Sequence, residues 1–433
     1  MQKTSAAFWG LLAGLLLSGC KPQAEAGGFS AVKIGDTALF FWTDPPEEDL
    51  KGFEGVEISA SPAIRSAGAA KGEEAAIISG LDPDTEYTFV IRTVQGKKKS
   101  EGVEPAWYDV YAAGYDTGSA LLWKNGAPQV LSEKGSARAL ALDGRDIFAA
   151  GENGAGGGYW KNGDFIPLPG WSAVTGLAVD GGTLYAVGNK GSGAGNAVVQ
   201  LVDGGETVLA VNTSKSLGYQ RVTRRMAGVL NEVTLFSGGA LAYGGGDVYT
   251  VFKCDIRYVL NHVNGSYTTR TAAEQMLFKN GERVLLNGVA GGNLYDVLVS
   301  VGDLYLAGSD NNLAAYWKNG ERFILTGGPS PFAAALGLAV KGEDIYITGY
   351  DGTVTKIWKN GEQLLASDGS APDTQGNAVA LFGSLPLAAG YVKNDAEKTA
   401  AVIWAGTKTL RAIPLSDGSG NAEALSIAVV PRP

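Results

Sequence analysis

The segment Asp344-Ile345-Tyr346-Ile347-Thr348-Gly349 decides the fold, because it recurs along the chain with the same kind of turn behind it. After a polar loop it leads into Trp358-Lys359-Asn360-Gly361. The first segment is rich in β-branched and aromatic residues, which is typical of a strand. Asn-Gly tolerates the positive φ angles that a type I′ hairpin turn requires. The two segments together predict consecutive strands joined by tight hairpins.

This strand and turn form part of an internal repeat with a period of about 37 to 46 residues. The best copies of the strand begin at Asp146, Asp303 and Asp344. Five copies share Lys-Asn-Gly after an aromatic residue, and these begin at Trp123, Trp160, Phe278, Trp317 and Trp358. A repeat of about 40 residues with four short strands is typical of a β-propeller.

The phase of the repeat predicts how the ring closes. The second strand of each repeat is predicted to begin at Asp109, Asp146, Thr183, Asp247, Asp303, Asp344 and Leu385. The region opens with strands two to four of one blade (109–131) and ends with a lone first strand (424–430). Pairing of the two ends would complete that blade and leave no open edge. The sequence therefore predicts a seven-bladed β-propeller over residues 108–433, with six or eight blades as alternatives at the irregular third repeat.

Two residue types recur at fixed places in the repeat. A glycine near the end of the second strand predicts a β-bulge or a close backbone approach. These glycines are Gly114, Gly151, Gly188, Gly308, Gly349 and Gly390. The tryptophan of the third strand is expected to pack between blades, since it occurs in nearly every repeat. The alternative is a ring of tryptophans that lines a sugar site.

A second, smaller all-β unit precedes the repeats, over residues 29–104. A strand around Trp42 is followed by Leu81-x-Pro83-x-Thr85-x-Tyr87 and then by an alternating strand. These features resemble a fibronectin type III domain, a small β-sandwich. The resemblance implies that the Tyr87 hydroxyl bonds nearby backbone at a corner of the sandwich. It also implies a spacer or docking module, with direct ligand recognition as the alternative.

The N-terminus has the pattern of a targeting segment. Lys3 precedes 12 apolar residues (6–17), which are too few to span a bilayer as a helix. Leu17-Ser18-Gly19-Cys20 resembles the lipobox of bacterial lipoproteins. The resemblance implies a signal peptide over residues 1–19, lipidation of Cys20 and a tether over residues 20–28. The protein is then expected in the bacterial cell envelope, anchored by its lipid in the outer membrane on the periplasmic or surface side. The alternative is an ordinary signal peptide.

Composition excludes several functional classes. The net charge of −9 and the pI of about 4.9 argue against a nucleic-acid partner. A single histidine and two cysteines give no basis for a metal site, a disulfide framework or a cofactor. Cys254 is expected to be a buried apolar residue or a thiol that forms an intermolecular bridge. His262 is expected to be a hydrogen-bonded structural residue, with a catalytic base as the alternative.

Two insertions interrupt the repeat, and both are expected as long loops that leave the same face side by side. Residues 212–233 connect two blades, and residues 254–274 join strands two and three of the next blade. The first insertion contains Lys215, Arg221, Arg224 and Arg225, and the second contains Arg257, Tyr258, His262, Tyr267 and Arg270. A basic patch with tyrosines suits an anionic partner such as an acidic protein, an acidic glycan or lipid headgroups. The alternative is a solvated loop whose charges pair with neighbouring acidic blades.

The leading functional hypothesis is a non-catalytic, lipid-anchored envelope protein. It would bind a protein or an acidic glycan through the insertion-bearing face of the propeller, with the smaller module as a spacer. One alternative is a carbohydrate-active hydrolase or lyase that uses carboxylates of the propeller channel. A further alternative is a scaffold for envelope assembly, an analogy at the level of the fold.

Overall fold

The computed structural model describes residues 26–46, 52–64, 67–191, 197–211, 213–223, 226–262, 266–285, 292–325, 330 and 332–432. The described residues form an all-β structure of strands and turns. Within these ranges no helix is long and apolar enough to cross a membrane. The predicted signal peptide, Cys20 and most of the tether lie outside the described residues.

The first seven strands make two small sheets that enclose a core of their own. They are β1 (Gly27–Ile34), β2 (Thr37–Thr43), β3 (Gly55–Ser61), β4 (Ala67–Ala70), β5 (Ala75–Ile78), β6 (Thr88–Gln95) and β7 (Lys98–Lys99). One sheet contains β1, β2 and β5, and the other has the order β4-β3-β6-β7. Trp42 is fully buried between them, as the sequence predicts. The Tyr87 hydroxyl accepts a hydrogen bond from the Asp82 backbone N–H at 3.2 Å, which is the expected corner contact.

The remaining strands form seven further small sheets in the described part of the chain. The first sheet contains β8 (Ala106–Asp116), β9 (Ser119–Lys124) and β10 (Ala127–Ser132). The second contains β11 (Gly135–Asp143), β12 (Asp146–Asn153), β13 (Gly156–Lys161) and β14 (Asp164–Pro167). The third contains β15 (Trp171–Asp180), β16 (Thr183–Lys190), β17 (Ala197–Val202) and β18 (Gly205–Val211). The fourth contains β19 (Thr213–Thr223), β20 (Met226–Gly244), β21 (Asp247–His262), β22 (Tyr267–Lys279) and β23 (Glu282–Val284).

The last three sheets complete the chain. The fifth sheet contains β24 (Gly292–Ser300), β25 (Asp303–Asp310), β26 (Leu313–Lys318) and β27 (Glu321–Ile324). The sixth contains β28 (Ala333–Lys341), β29 (Asp344–Asp351), β30 (Val354–Lys359) and β31 (Glu362–Ala366). The seventh contains β32 (Thr374–Phe382), β33 (Leu385–Lys393), β34 (Thr399–Ala405) and β35 (Arg411–Pro414). The C-terminal strand β36 (Ala422–Pro431) joins the first of the seven sheets, where it pairs with β8. Sequential strands are antiparallel neighbours within each of these sheets, and the parallel pairing of β1 with β8 joins the sheet of β1, β2 and β5 to the first of them.

The two ends of the repeat region meet as the sequence predicts. Strand β36 pairs antiparallel with β8, from Ala422 opposite Asp116 to Pro431 opposite Tyr108. The innermost strands of the seven sheets also contact one another in a cycle, in the order β36, β11, β15, β20, β24, β28, β32 and back to β36. These seven strands therefore surround a common axis.

The recurring glycines lie opposite bulges, as predicted. Gly349 is an example: a Cβ atom there would lie 1.9 Å from the carbonyl oxygen of Ala334 on the neighbouring strand. The ladder shifts register between Ala335 and Gly337, so Leu336 is the extra, bulged residue. The same close approach, at 1.9 to 2.1 Å, occurs at Gly114, Gly151, Gly188, Gly308 and Gly390. Any side chain at these positions would push the paired strands apart.

The Lys-Asn-Gly turns have the predicted type I′ conformation, with φ of 52° at Asn360 and 90° at Gly361. The Asn360 side chain donates to Asp344 Oδ1 at 2.8 Å. Lys359 Nζ lies 2.8 Å from the other oxygen of Asp344 and 5.4 Å from the ring centre of Tyr346. The same set of aspartate, asparagine and lysine recurs at Asp109, Asn125 and Lys124; Asp146, Asn162 and Lys161; Asp247, Asn280 and Lys279; and Asp303, Asn319 and Lys318.

The tryptophans of the third strands are packing residues, as expected. Trp123, Trp160, Trp317, Trp358 and Trp404 are each between 0% and 3% exposed. Trp160, for example, packs with Tyr111 and Leu122 of the preceding sheet, and its Nε1 donates to the Leu131 carbonyl oxygen. Because these rings are sealed between sheets, they form no exposed ring around a sugar.

The N-terminal unit is docked on the seven sheets and is not an independent spacer. Strand β1 pairs in parallel with the start of β8, where Ser30 is opposite Ala106 and Ala31 is opposite Trp107. The predicted boundary between residues 104 and 108 thus falls at a strand that both units share. Leu39 lies in one buried cluster with residues of the first and last of the seven sheets.

This docking places the N-terminal unit on one side of the seven sheets. The backbone N–H of Gly35 donates to the carbonyl oxygen of Asn125, in a hairpin turn of the first sheet. The Phe41 ring contacts Phe382 at a centroid distance of 6.5 Å, and Lys341 Nζ lies 5.5 Å from the Phe41 centroid. All three contacts involve turns that join strands one and two or strands three and four. We call this side the hairpin face.

Replacement of Gly349 with alanine should lower the free energy of unfolding by about 3 kcal/mol or more, since the new Cβ would overlap the Ala334 carbonyl oxygen. Urea unfolding measures the effect. Gly27→Ala is the matched control, because no atom lies within 4 Å of the Cβ position there. Equal effects of the two substitutions would contradict the close approach.

Replacement of Leu39 with alanine should lower the free energy of unfolding by about 2–5 kcal/mol, because it leaves a cavity in the shared core. Differential scanning calorimetry should show the seven-sheet unit unfolding earlier together with the N-terminal unit. Leu285→Ala, at a side chain that is 81% exposed, should leave the melting temperature unchanged. A separate early transition with an unshifted main transition would show that the two units do not share a core.

Candidate binding face

The two sequence insertions form strands and not the expected loops. Strands β20 and β21 pair without interruption from Ser237 opposite Lys253 out to Gly228 opposite His262. Strand β19 pairs with the outer part of β20, and the outer part of β22 pairs with β21. The extension covers nine positions of β21, or roughly 30 Å at about 3.4 Å per residue. We call residues 213–223, 226–237, 253–262 and 266–275 the ribbon.

The prediction of loops is wrong. It relied on the arginines of the insertions, although these arginines stand among residues with high β propensity. Val229-Leu230-Asn231-Glu232-Val233-Thr234-Leu235-Phe236 is a long β-branched and apolar run. The predicted adjacency of the two insertions is confirmed, since β20 and β21 are paired neighbours. Both hairpins of the ribbon leave on the side opposite the hairpin face, where strand two turns into strand three. We call that side the ribbon face.

The backbone register distributes the predicted basic residues along the ribbon. Lys215 is opposite Glu232, which is opposite Tyr258, which in turn is opposite Arg270. An acidic residue therefore stands in the same row as three of the predicted binding residues.

The other predicted residues lie in separate rows. Arg221 is opposite Ala227 near the tip of the first hairpin. Arg257, Tyr267 and His262 are opposite Thr271, Asn261 and Gly228, respectively. Arg224 and Arg225 lie outside the described residues. The described residues of the predicted set are thus brought onto one ribbon but not into one compact cluster.

Cys254 lies at the base of the ribbon, opposite Phe236 and Glu274. It is 1% exposed, which agrees with the expectation of a buried apolar residue. Lys253 and Gln275 flank it in the neighbouring row. These two residues turn out to border the opening of a cavity on the axis.

Bulged residues form the boundary between two connected cavities on the axis, a feature that sequence reasoning missed. In six of the innermost strands the extra residue of the bulge lines both cavities. These residues, which we call the bulge ring, are Arg138, Thr175, Tyr295, Leu336, Asn377 and Leu425. The remaining innermost strand, β20, has Gly238 and Gly239 at its irregularity. A bulge re-aims a side chain next to a site, and here six of the seven strands do so around one cavity.

The outer cavity opens on the ribbon face and has a volume of about 500 Å³. Besides the bulge ring it is lined by Lys253, Gln275, Asn293 and Gln375. The Oε1 atom of Gln275 is buried and has no hydrogen-bond partner among the described residues. Its Nε2 donates to Asn293 Oδ1 at 3.3 Å. A cavity of this size with convergent polar groups is in the range of small-ligand sites.

The polar groups of the bulge ring are held in place by specific contacts. The Arg138 guanidinium makes two hydrogen bonds to the Glu152 carboxylate, with N–O distances of 2.8 and 2.7 Å. Asn377 donates to the Ala424 carbonyl oxygen at 2.9 Å and accepts from Gln375 Nε2 at 2.6 Å. Tyr295 is 43% exposed, which makes it a large aromatic side chain open to the cavity.

Two further tyrosines and one acid have raised pKa values. Burial, with the neighbouring Glu423 carboxylate, raises the pKa of Tyr115 to about 12. Burial likewise raises the pKa of Glu423. The Tyr391 hydroxyl donates to Asp373 Oδ2 at 2.9 Å, and burial together with this bond raises the pKa of Tyr391. The raised pKa values keep the hydroxyl groups of Tyr115 and Tyr391 protonated at neutral pH.

The inner cavity has a volume of about 460 Å³, and its lining includes the carboxylate of Asp296. Its Oδ1 accepts the backbone N–H of Val297, and its Oδ2 accepts that of Leu338, both at 2.9 Å. Burial raises the pKa of Asp296 to about 6, and the two backbone donors oppose the rise. Asp296 thus links two innermost strands, β24 and β28.

One sequence signal could have located the bulge ring. The residue that follows the partner of each recurring glycine is the bulged one, as in Ala137-Arg138-Ala139 or Leu294-Tyr295-Asp296. The first strand alone has no such marker, since a bulge is a property of the pairing and not of one strand.

No three histidine, cysteine, aspartate or glutamate side chains converge as metal ligands within the described ranges. No protein-family model matches this chain, and no curated protein sequence matches it. The chemistry of the ribbon face therefore has to be inferred from its own residues.

Replacement of Asp296 with asparagine should stabilise the protein at neutral pH but not at acidic pH. The carboxyl pKa is about 6 in the fold and about 3.9 in an unfolded chain. The wild type therefore loses stability as pH rises from 4 through 6, and asparagine abolishes this loss while it keeps an acceptor oxygen. The advantage of the variant should grow by up to about 3 kcal/mol between pH 4 and pH 7.

Urea unfolding at a series of pH values measures this difference. Asp146→Asn is the control with the opposite sign, because the hydrogen bond from Lys161 lowers the pKa of Asp146. That variant should be the less stable one at pH 7 and should approach the wild type in acid. A pH-independent effect of Asp296→Asn would show that its carboxyl does not titrate in this range.

Proposed function

We propose that this chain is a non-catalytic binding protein, a lipid-anchored bacterial lipoprotein that holds a macromolecular partner on the ribbon face of a seven-bladed β-propeller. The observation on which this rests is the ribbon: four paired strands that extend one sheet roughly 30 Å beyond its neighbours. A long, ordered extension from a rigid scaffold adds surface that the fold itself does not need, and such surfaces usually serve binding.

The propeller assignment is supported by the contacts of the innermost strands. Seven small sheets contact one another in a cycle through those strands. The pairing of β36 with β8 joins the chain ends within one sheet. Buried tryptophans seal neighbouring sheets together. The docked N-terminal unit is proposed as the fibronectin type III module, supported by Trp42 and the Tyr87 corner contact.

The position of the N-terminal unit gives the proposed orientation. Ala26 precedes β1 in that unit, which contacts the hairpin face at Asn125 and Phe382. With Cys20 lipidated, the tether between Cys20 and Ala26 would hold the hairpin face towards the membrane. The ribbon face would then point away from the membrane, where a partner has free access. This geometry favours capture of a partner over contact of the ribbon with lipid headgroups of the same membrane.

The proposed partner has an acidic surface, of protein or of acidic glycan. Arg221 lies opposite Ala227 near the tip of the first hairpin, while Glu232 and Glu274 lie further towards the base. Cationic side chains at a tip meet an anionic surface first, and arginine binds carboxylates with two hydrogen bonds.

The alternative of a hydrolase or lyase would need a pair of carboxyl groups free to act in the channel. The oxygens of Asp296 are both bonded to backbone N–H groups, and Glu152 is bonded to Arg138. These bonds favour structural roles for both carboxylates. The assembly-scaffold alternative differs from the leading proposal only in the partner.

The test is cross-linked capture from envelope extract with the full chain in detergent micelles. The ribbon variant joins Val211 to Leu235 and Cys254 to Glu274 through short Asn-Gly turns. Its control is Lys134→Glu, a charge change at a residue outside the ribbon. A partner that is captured by the wild type and by the control but not by the ribbon variant would support the proposal.

A charge-reversal variant, Lys215→Glu with Arg221→Glu, addresses the chemistry of the partner. Its apparent affinity should fall at least tenfold at about 0.15 M salt, and the difference from wild type should shrink as salt screens the charges. Capture that is equal for the wild type and both ribbon variants would contradict a role of the ribbon in binding.

A further inference from the structure

The outer cavity is a candidate ligand site that is separate from the ribbon. It lies on the axis, and its boundary consists of bulged residues from six innermost strands. The six residues differ in chemistry although their backbone positions are equivalent. Equivalent positions in a repeat that served only packing would be expected to resemble one another, as the tryptophans of the third strands do.

The hydrogen-bonding groups around the cavity suit a ligand with hydroxyl groups. Thr175, Asn377, Gln375 and Asn293 line the cavity with a hydroxyl and three amides. The Thr175 hydroxyl donates to the Gly239 carbonyl oxygen at 2.8 Å, and the Gln375 amide donates to Asn377 Oδ1 at 2.6 Å. The oxygens of Thr175 and Gln375 keep acceptor capacity, so a ligand hydroxyl can donate to them. The buried Oε1 of Gln275 lacks a protein partner among the described residues and would accept a hydrogen bond from such a hydroxyl.

The charges around the ring disfavour an anion. The Arg138 guanidinium is already held by the Glu152 carboxylate through two hydrogen bonds. Lys253 lines the cavity at its edge and adds one cation to this balance. An anionic group would gain little from a guanidinium that is already paired.

The apolar surface of the ring suits the C–H face of a sugar. Tyr295 is 43% exposed, and Leu336 and Leu425 line the same boundary. An aromatic ring with a few convergent polar groups fixes both the position and the orientation of such a ligand.

We infer that the outer cavity binds the end of a neutral saccharide, stacked on Tyr295 and hydrogen-bonded by the amides of the bulge ring. This site goes beyond the proposed role of the ribbon and does not depend on it. It would give the ribbon face a second, uncharged mode of recognition beside the charged one.

The test uses a glycan array of neutral and acidic oligosaccharides and the labelled full chain in detergent micelles. Binding to at least one neutral oligosaccharide is expected. In titrations with that oligosaccharide, Tyr295→Ala should weaken binding at least tenfold, and Tyr295→Phe, which keeps the ring, should stay within about threefold of the wild type. Phe332→Ala, at a ring that is 62% exposed and does not line the cavity, should bind as the wild type does.

The exposure of Tyr295 makes its variants suitable, because their melting temperatures should equal that of the wild type. Absence of binding to any neutral glycan would overturn the proposal, and so would equal binding by the wild type and Tyr295→Ala. Binding to acidic glycans alone that is lost in Lys215→Glu with Arg221→Glu would also overturn it, since the ligand would then belong to the ribbon. Loss of partner capture in the ribbon variant with normal saccharide binding would separate the two sites.

Discussion

The axial site depends on one constraint, the close approach between a glycine and a carbonyl oxygen of the strand beside it. The glycine belongs to the second strand in six of the seven sheets. A side chain at Gly151 or Gly349 would overlap that oxygen. The approach accompanies a register shift, and the shift leaves one extra residue on the innermost strand. The glycine is thus the fixed element of the repeat, while the bulged residue beside it is free to vary. The side chains that differ between repeats therefore lie at the bulged position, where the glycine on the paired strand keeps the backbone geometry constant.

The two faces of the seven sheets differ in regularity. On the hairpin face, an aspartate of each of five second strands holds an asparagine and a lysine of the following Lys-Asn-Gly turn. These turns are short and alike, and the N-terminal unit contacts one of them at Asn125 and the β32–β33 hairpin at Phe382. On the ribbon face, the sheets differ in length and the outer cavity opens.

The repeat itself allowed much of the fold to be predicted. The turn conformation at Asn360-Gly361, the close approach at Gly349 and the pairing of residues 424–430 with the first sheet all follow from local rules about φ angles, Cβ atoms and strand phase. The ribbon was missed because only pairing with another segment decides whether such residues form a strand or a loop. Residues 213–223 are polar, and their partner lies in the equally irregular segment that follows. No local rule decides that competition.

The axial site was beyond sequence reasoning for a different reason. Arg138 and Asn377 are 239 positions apart in the chain, yet both lie on the boundary of one cavity. Their convergence requires the closed cycle of innermost strands, and their orientation requires a bulge at each strand. The charge of Arg138 is likewise misleading in the sequence, since Glu152 on the paired strand neutralises it. The axial cavity is lined by hydroxyl, amide and aromatic groups, which net charge does not register.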